Sequence, residues 1–352
     1  MHDHRWPEQD HLTTQLSTAE RLQLQEDQVE NAKAYVNQQQ LAVQGIPGSR
    51  LQTTEEANKF RSLVDCWTRG RWAEKPRRLK LKHFQDPTFK GSDQDQPELR
   101  WEPECGFDPG QTVNRTQWCE VMKGRNILLV GDLVHYQLHE LFLDTLRDGP
   151  TVCFGELNCK DHSLCTEPSV MLRYLRNDRL STNRNVDITG GHPSVDVVEW
   201  PFMAGYILPK YPILILNRAP VLEDDAQFVE ELTRTMLAIR KAVPNVLIIY
   251  RSTSIGHPHC DEAQAPLASG LRDDELRKLP YGWSEVGRRN ALARVIVEAA
   301  GGLFVDLAAM TDLRPDGHVG GQDCLRYRIP GPLDAWVEVL YYVFMGLEDK
   351  LP

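Results

Sequence analysis

The residues of this chain best suited to chemistry stand just after short apolar runs. Asp132 follows "ILLVG", with Leu133, Val134 and His135 next to it; Asn217 and Arg218 follow "PILIL"; Arg251 and Ser252 follow "NVLIIY". Near the C-terminus, "DCLRYRIPGPLDAW" begins at Asp323 and carries Arg326 and Tyr327. Carboxylate, amide and hydroxyl groups in such positions are the materials of acyl transfer, which needs a nucleophile, a base and donors for a developing oxyanion. Metal ligation is the other chemistry to weigh. His135 and His139 have the i, i+4 spacing that puts two imidazoles on one helix face, and "HPHC" gathers His257, His259 and Cys260. With no HExxH glutamate and no CxxC pair, neither a dedicated metal site nor a cofactor is expected.

The elements that position these residues follow from the apolar runs. "NILLVGD", "TVCFGE", "VDVVEW", "PILILN", "NVLIIYR" and "GLFVDL" are short, β-branched and apolar on both faces, as buried parallel strands are. Between the fourth and fifth, "EDDAQFVEELTRTMLAIRKAVP" sets Val229, Leu232, Met236 and Ile239 on one helical face, and "GRRNALARVIVEAAGG" makes a second helix closed by Gly301 and Gly302. The pattern predicts a three-layer α/β/α domain with a parallel, doubly wound sheet over 121–352, whose ligands bind at the carboxyl ends of the strands. Ahead of it, "STAE" is a capping box that starts a helix from Ser17 to about Gln39 within an extension over 1–44. The turn-rich stretch 45–120 is expected to be an irregular module draped over the main domain.

Composition narrows the function classes. The formal net charge is −10 and the pI about 5.6, which argues against a nucleic-acid partner, because such binding rests on Lys and Arg displacing counterions. The one basic run, "KPRRLKLKHF" from Lys75, is short and reads as a solvated edge. No apolar run approaches the roughly 18 residues of a membrane span, so no membrane partner is expected. The opening "MHDHRWPEQDHLTTQL" has no apolar h-region, which makes the cytoplasm the expected location. Eight cysteines sit awkwardly with that, since disulfides persist in oxidising compartments. "NRT" at Asn114 matches an N-glycosylation acceptor, which has meaning only for a secreted chain.

Taken together, the ordered blocks "VGDL", "ILNRAP", "YRSTSIGHPHC", "MTDLRPDGHVG" and the "PGPLDAW" tail resemble the SGNH, or GDSL-type, hydrolase superfamily. The closer resemblance is to its PC-esterase branch, which includes the trichome-birefringence-like polysaccharide O-acetyltransferases. "DCWTRGRW" and "LRWEPECGF" are similar to the Cys- and Trp-bearing N-terminal module of those proteins, so the likeness covers roughly residues 65 to 345. It implies disulfides between Cys66 and Cys105 and between Cys260 and Cys324. Reduced thiols packed as small hydrophobes are the alternative that cytosolic redox favours.

The same resemblance places the nucleophilic serine on Leu133, the triad aspartate on Asp323, the base histidine on Arg326 and the oxyanion-hole asparagine on Asn217. Leucine has no lone pair to attack a carbonyl, and a guanidinium cannot accept a proton near neutrality. Losing either role costs on the order of 10⁶ in turnover, roughly 8 kcal/mol of barrier. The expectation is therefore a repurposed cleft: Arg326, Asn217 and Asp323 as the working groups, and Asp132, Leu133, Val134, His135, Arg218, Arg251, His257 and Tyr327 as pocket residues. Such a cleft would hold a small, largely apolar metabolite and polarise its carbonyl for a cyclisation, isomerisation or pericyclic step. Two alternatives stay open. One is a residual esterase or acetyltransferase rewired through His135, His139, Ser252 or Ser254; the other is a pseudoenzyme that binds a glycan or a protein. His139 otherwise reads as a surface or groove residue, His318 as a turn residue, and Trp101 and Trp336 as core anchors.

Overall fold

The computed structural model describes residues 16–79, 98–105, 113–147, 156–190, 196–221, 223–321 and 323–351. Residues 151–155 of the expected strand "TVCFGE" and residues 80–84, half of the basic run from Lys75, lie outside the described residues. In chain order the N-terminal part holds α1 (Thr18–Gln38), α2 (Thr54–Thr68), the strand pair β1 (Gly70–Glu74) and β2 (Leu99–Pro103), and α3 (Arg115–Met122). There follow β3 (Ile127–Gly131), α4 (Leu133–Leu146), β4 (Asn158–Thr166), β5 (Ser169–Arg176), β6 (Asp187–Thr189), β7 (Val197–Glu199) and β8 (Ile213–Leu216). The C-terminal part runs α5 (Asp225–Ala242), β9 (Leu247–Arg251), α6 (Asp273–Leu276), α7 (Val286–Ala299), β10 (Leu303–Val305), α8 (Ala308–Thr311), β11 (His318–Gly320), β12 (Asp323–Tyr327) and α9 (Asp334–Leu347).

Six strands form one mixed sheet in the order β10-β9-β8-β3-β5-β4. The pairs from β10 through to β5 are parallel, whereas β4 pairs antiparallel with β5 at the edge, with two register shifts. The all-parallel expectation is corrected in two places. The β4–β5 hairpin was not foreseen, and "VDVVEW" joins β6 in a separate two-stranded ribbon rather than the main sheet. Side-chain alternation explains why the central runs are apolar throughout. Ile127, Leu129, Ile215 and Ile249 enter one core with residues of α2, α3, α4 and α9, while Leu128, Val130, Leu216 and Ile248 enter another with residues of α1, α5 and α7.

Helix starts follow local chemistry. Ser17 and Glu20 form the expected capping box of α1, which packs against α7 and α5. Thr53 and Glu56 form a second box that starts α2, and Ala57, Phe60, Val64 and Trp67 then make one buried stripe. The described part of 45–120 is thus more regular than expected, with α2, α3 and a strand pair in which Trp72 lies opposite Trp101, their rings 5.5 Å apart, edge to face. Gly301, at φ +68°, closes α7 as expected. Trp101 and Trp336 are buried anchors, and their ring nitrogens donate to Trp67 O (2.9 Å) and Leu307 O (2.8 Å).

Disulfides join Cys66 to Cys105, Cys119 to Cys165 and Cys260 to Cys324, and no described cysteine is free. Two are the pairs the resemblance implies. The third, tying α3 to β4, had no sequence signal. No helix among the described residues is long and apolar enough to cross a membrane.

Candidate functional site

After β3 the chain builds outward to β5 on one side and crosses to β8 on the other, so the topological switch falls between β3 and β8. In open α/β sheets that is where ligands bind. Here Asp132 and Asn217 occupy it and hold each other. Asp132 N donates to Asn217 Oδ1 (3.1 Å), and Asn217 Nδ2 donates to Asp132 Oδ2 (3.0 Å) and to Arg218 O (2.7 Å). Asp132 also caps α4, accepting from His135 N (2.8 Å). Gly131 permits this approach, since a Cβ there would stand 1.9 Å from Asn217 Oδ1.

From β9, Arg251 completes the arrangement. Its Nη2 pairs with Asp132 Oδ1, its Nε donates to His135 Nδ1 (3.0 Å), its Nη1 donates to Ser252 O (2.9 Å), and its guanidinium lies 4.8 Å over the Trp336 ring. His135 donates its other nitrogen, Nε2, to Ile215 O (3.0 Å). Both ring nitrogens are therefore engaged, and burial, with Arg251 beside it, holds the imidazole well below its ordinary pKa. A neutral ring whose acceptor nitrogen already takes a guanidinium N–H cannot serve as a general base. Leu133, at the position of the resemblance's nucleophile, starts α4 and is buried with Val134.

The two serines considered as displaced nucleophiles have other situations. Ser252 Oγ accepts from Ala308 N (2.8 Å) at the start of α8, and Ser254 Oγ is buried beside the Tyr327 hydroxyl. Neither is bonded to an imidazole. Arg218 is wholly buried, with its Nη2 on Glu223 (2.8 and 2.6 Å) and Glu231 (3.1 Å) and Phe228 4.9 Å beneath it.

The C-terminal block forms a second set of bonds. Arg326 donates from Nε to Asp323 Oδ2 (2.5 Å) and from Nη1 to Glu156 Oε1 (2.8 Å), in a half-buried pairing. Against burial, which pulls it down, Asp323 and Glu156 hold this guanidinium above its ordinary pKa. No hydrogen bond among the described residues joins it to Asp132 or Asn217. The two expected donors are thus each engaged by other groups: the amide at the switch point and the cation by two carboxylates. The strand that carries Arg326 is tied to α4 through Gln137, which donates to Tyr327 O (2.6 Å) and accepts from Tyr327 N (3.0 Å).

Three histidines take roles that the sequence did not disclose. His257 Nδ1 lies 2.7 Å from His318 Nε2; His257 Nε2 faces Asp312 O (3.0 Å), and His318 Nδ1 faces Arg326 O (3.1 Å). His318 stacks on Tyr327 at 4.3 Å and starts β11 directly after a 3₁₀ turn over Pro315–Gly317, so it is a buried strand start rather than the turn residue expected. Burial pushes His257 down to about 4 and His318 well below its usual range. His139 is likewise fully buried rather than at a surface, because α4 is covered on nearly every side. Neither of its ring nitrogens has a hydrogen-bond partner among the described residues, and burial lowers its pKa to about 3.

Among the described residues no group of three or more His, Cys, Asp or Glu side chains is placed to hold a metal ion. The two candidate sets are otherwise occupied: His135 and His257 by hydrogen bonds, Cys260 by its disulfide. A cavity bordered by Trp67, Arg78, Trp101, Glu338 and Tyr342 lies beside α9, is not lined by Leu133, and measures about 20 Å³. That is room for one water, against roughly 300–1,000 Å³ for a small-molecule pocket.

The signal for the switch-point arrangement was present in the residue types after each strand, but their mutual bonding spans 85 and 119 positions and is not visible in spacing. Compared with known proteins, the chain matches no model of a protein family, and no curated protein matches it.

Proposed function

We propose that this chain is a non-acylating protein of the PC-esterase kind, which binds a glycan without transforming it. The observation that carries the reading is the closed set Asp132, His135, Asn217 and Arg251, whose polar groups satisfy one another where acyl chemistry would begin. The helix-covered sheet with two cores agrees with the three-layer α/β/α arrangement that the resemblance implies. A glycan is the ligand class of the branch it resembles. A cyclase or isomerase acting on an apolar metabolite is the weaker reading, because it needs Arg326 and Asn217 as unengaged donors.

The same reading places the protein in an oxidising compartment rather than the cytoplasm. Three disulfides between described cysteines are hard to maintain against a reducing thiol pool. Two measurements test the function. With p-nitrophenyl acetate the protein should turn over no faster than buffer, and a fluorophosphonate probe should leave it unlabelled. In affinity electrophoresis through a gel containing O-acetylated xylan, migration should be retarded. Ester turnover abolished by Ser252→Ala, Ser254→Ala or His135→Ala would overturn the first half, and unretarded migration the second.

A further inference from the structure

Asn114-Arg115-Thr116 is the chain's single Asn-x-Ser/Thr triplet, and nothing in the site above uses it. Asn114 is exposed and caps α3: its Oδ1 accepts from Thr116 N (2.9 Å) and Gln117 N (3.2 Å). The amide nitrogen has no partner among the described residues. That division matters, because N-glycosylation substitutes the nitrogen and leaves the carbonyl oxygen in place, so the cap survives modification. Thr116 is also exposed. Four positions after Thr116's neighbour Arg115, in the same helix, Cys119 is bridged to Cys165.

Two independent observations therefore meet at α3: bridged cysteines, which need an oxidising lumen, and an exposed acceptor whose reactive atom is outside the cap. We propose that Asn114 is an N-glycosylation site, and that the chain carries one glycan there. In the transfer, Asn114 Nδ2 attacks the anomeric carbon of a lipid-pyrophosphate-linked oligosaccharide. The new N–C bond forms as the C–O bond to the pyrophosphate breaks; the lipid pyrophosphate leaves and the amide nitrogen gives up one proton. The inference rests on the oxidising-compartment reading made above.

The test uses the full chain purified from the cells that make it, with a thiol-blocking reagent present at lysis, followed by peptide mapping without reduction. The expected result is blocked-thiol signal at no cysteine and a sugar increment on the Asn114 peptide, which peptide N-glycosidase removes with conversion of that asparagine to aspartate. In the same cells Thr116→Ala should lose the increment while keeping the Asn114 cap, and Thr116→Ser should retain it. Bridged cysteines with a bare Asn114 would overturn the glycan and leave the compartment reading standing. Alkylated cysteines would overturn the compartment reading and the glycan with it.

Discussion

Replacing Arg251 by methionine tests whether the strand-end group is a brace or a substrate site. The side chain is wholly buried and Asp132 nearly so. Arg251→Met would leave the Asp132 carboxylate with its bonds from Asn217 Nδ2 and His135 N but without its countercharge, and would take the donor from His135 Nδ1. Breaking a buried ion pair from one side costs about 3–5 kcal/mol, and the lost contact with Trp336 adds to that. Asp132→Asn in the same chain keeps a competent cap for α4 and removes the stranded charge. The double variant should therefore be more stable than Arg251→Met alone, with a coupling of about 2 kcal/mol or more between the sites. Urea unfolding without reductant, followed by tryptophan fluorescence and circular dichroism, measures both quantities from the midpoints at constant slope. A loss below about 1 kcal/mol for Arg251→Met, or strict additivity with Asp132→Asn, would refute the brace and reopen these residues as ligand contacts.

Three further outcomes are expected. Leu133→Ser should give no ester turnover above buffer, because both ring nitrogens of His135 are engaged and Arg326 cannot accept a proton; measurable p-nitrophenyl acetate hydrolysis by this single variant would count against the reading. His139→Leu should make the protein more acid-resistant. His139 has a folded pKa of about 3 against an ordinary 6.5, so between those values the unfolded chain binds the extra proton and stability falls as pH falls. At pH 5 this amounts to about 2 kcal/mol relative to pH 8, a loss the variant would not show; equal pH dependence of the two proteins in urea melts would contradict it. Arg326→Ala should change stability by less than about 1 kcal/mol, because the pair with Asp323 and Glu156 is partly solvated, and a larger loss in thermal melts would show that the cation braces β12.

The central strands β3, β8, β9 and β10 were legible because a strand covered on both faces is apolar on both, as "ILIL" and "LFV" are throughout. The β4 strand was not. "NCKDHSLCT" mixes buried and exposed positions irregularly, since it lies at the sheet edge and its register slips twice. α2 was hidden by its neighbours: the flanking Gly, Pro and Trp residues read as turns, although the box from Thr53 to Glu56 and the stripe from Ala57 to Trp67 were in the sequence. At the site, the residue types after the strands were readable and their engagement was not. Whether Asn217 is a donor for a ligand or a partner for Asp132 depends on two strands meeting side by side, and local spacing carries no information about that. His318 illustrates the same gap, since its burial depends on the β11–β12 ribbon and the Cys260–Cys324 link closing over it.

The paired imidazoles beneath that ribbon have an arithmetic of their own. Four ring nitrogens share three contacts: one with Asp312 O, one with Arg326 O and one between the rings. Each contact needs a hydrogen, and two neutral imidazoles bring only two. In the neutral pair at most two of the three contacts can therefore be hydrogen bonds at once: both carbonyls with no proton between the rings, or the ring–ring bond with one carbonyl. The Arg326 carbonyl is consequently linked to that of Asp312 through the two rings, so the tautomer of one imidazole decides which grip the other can make.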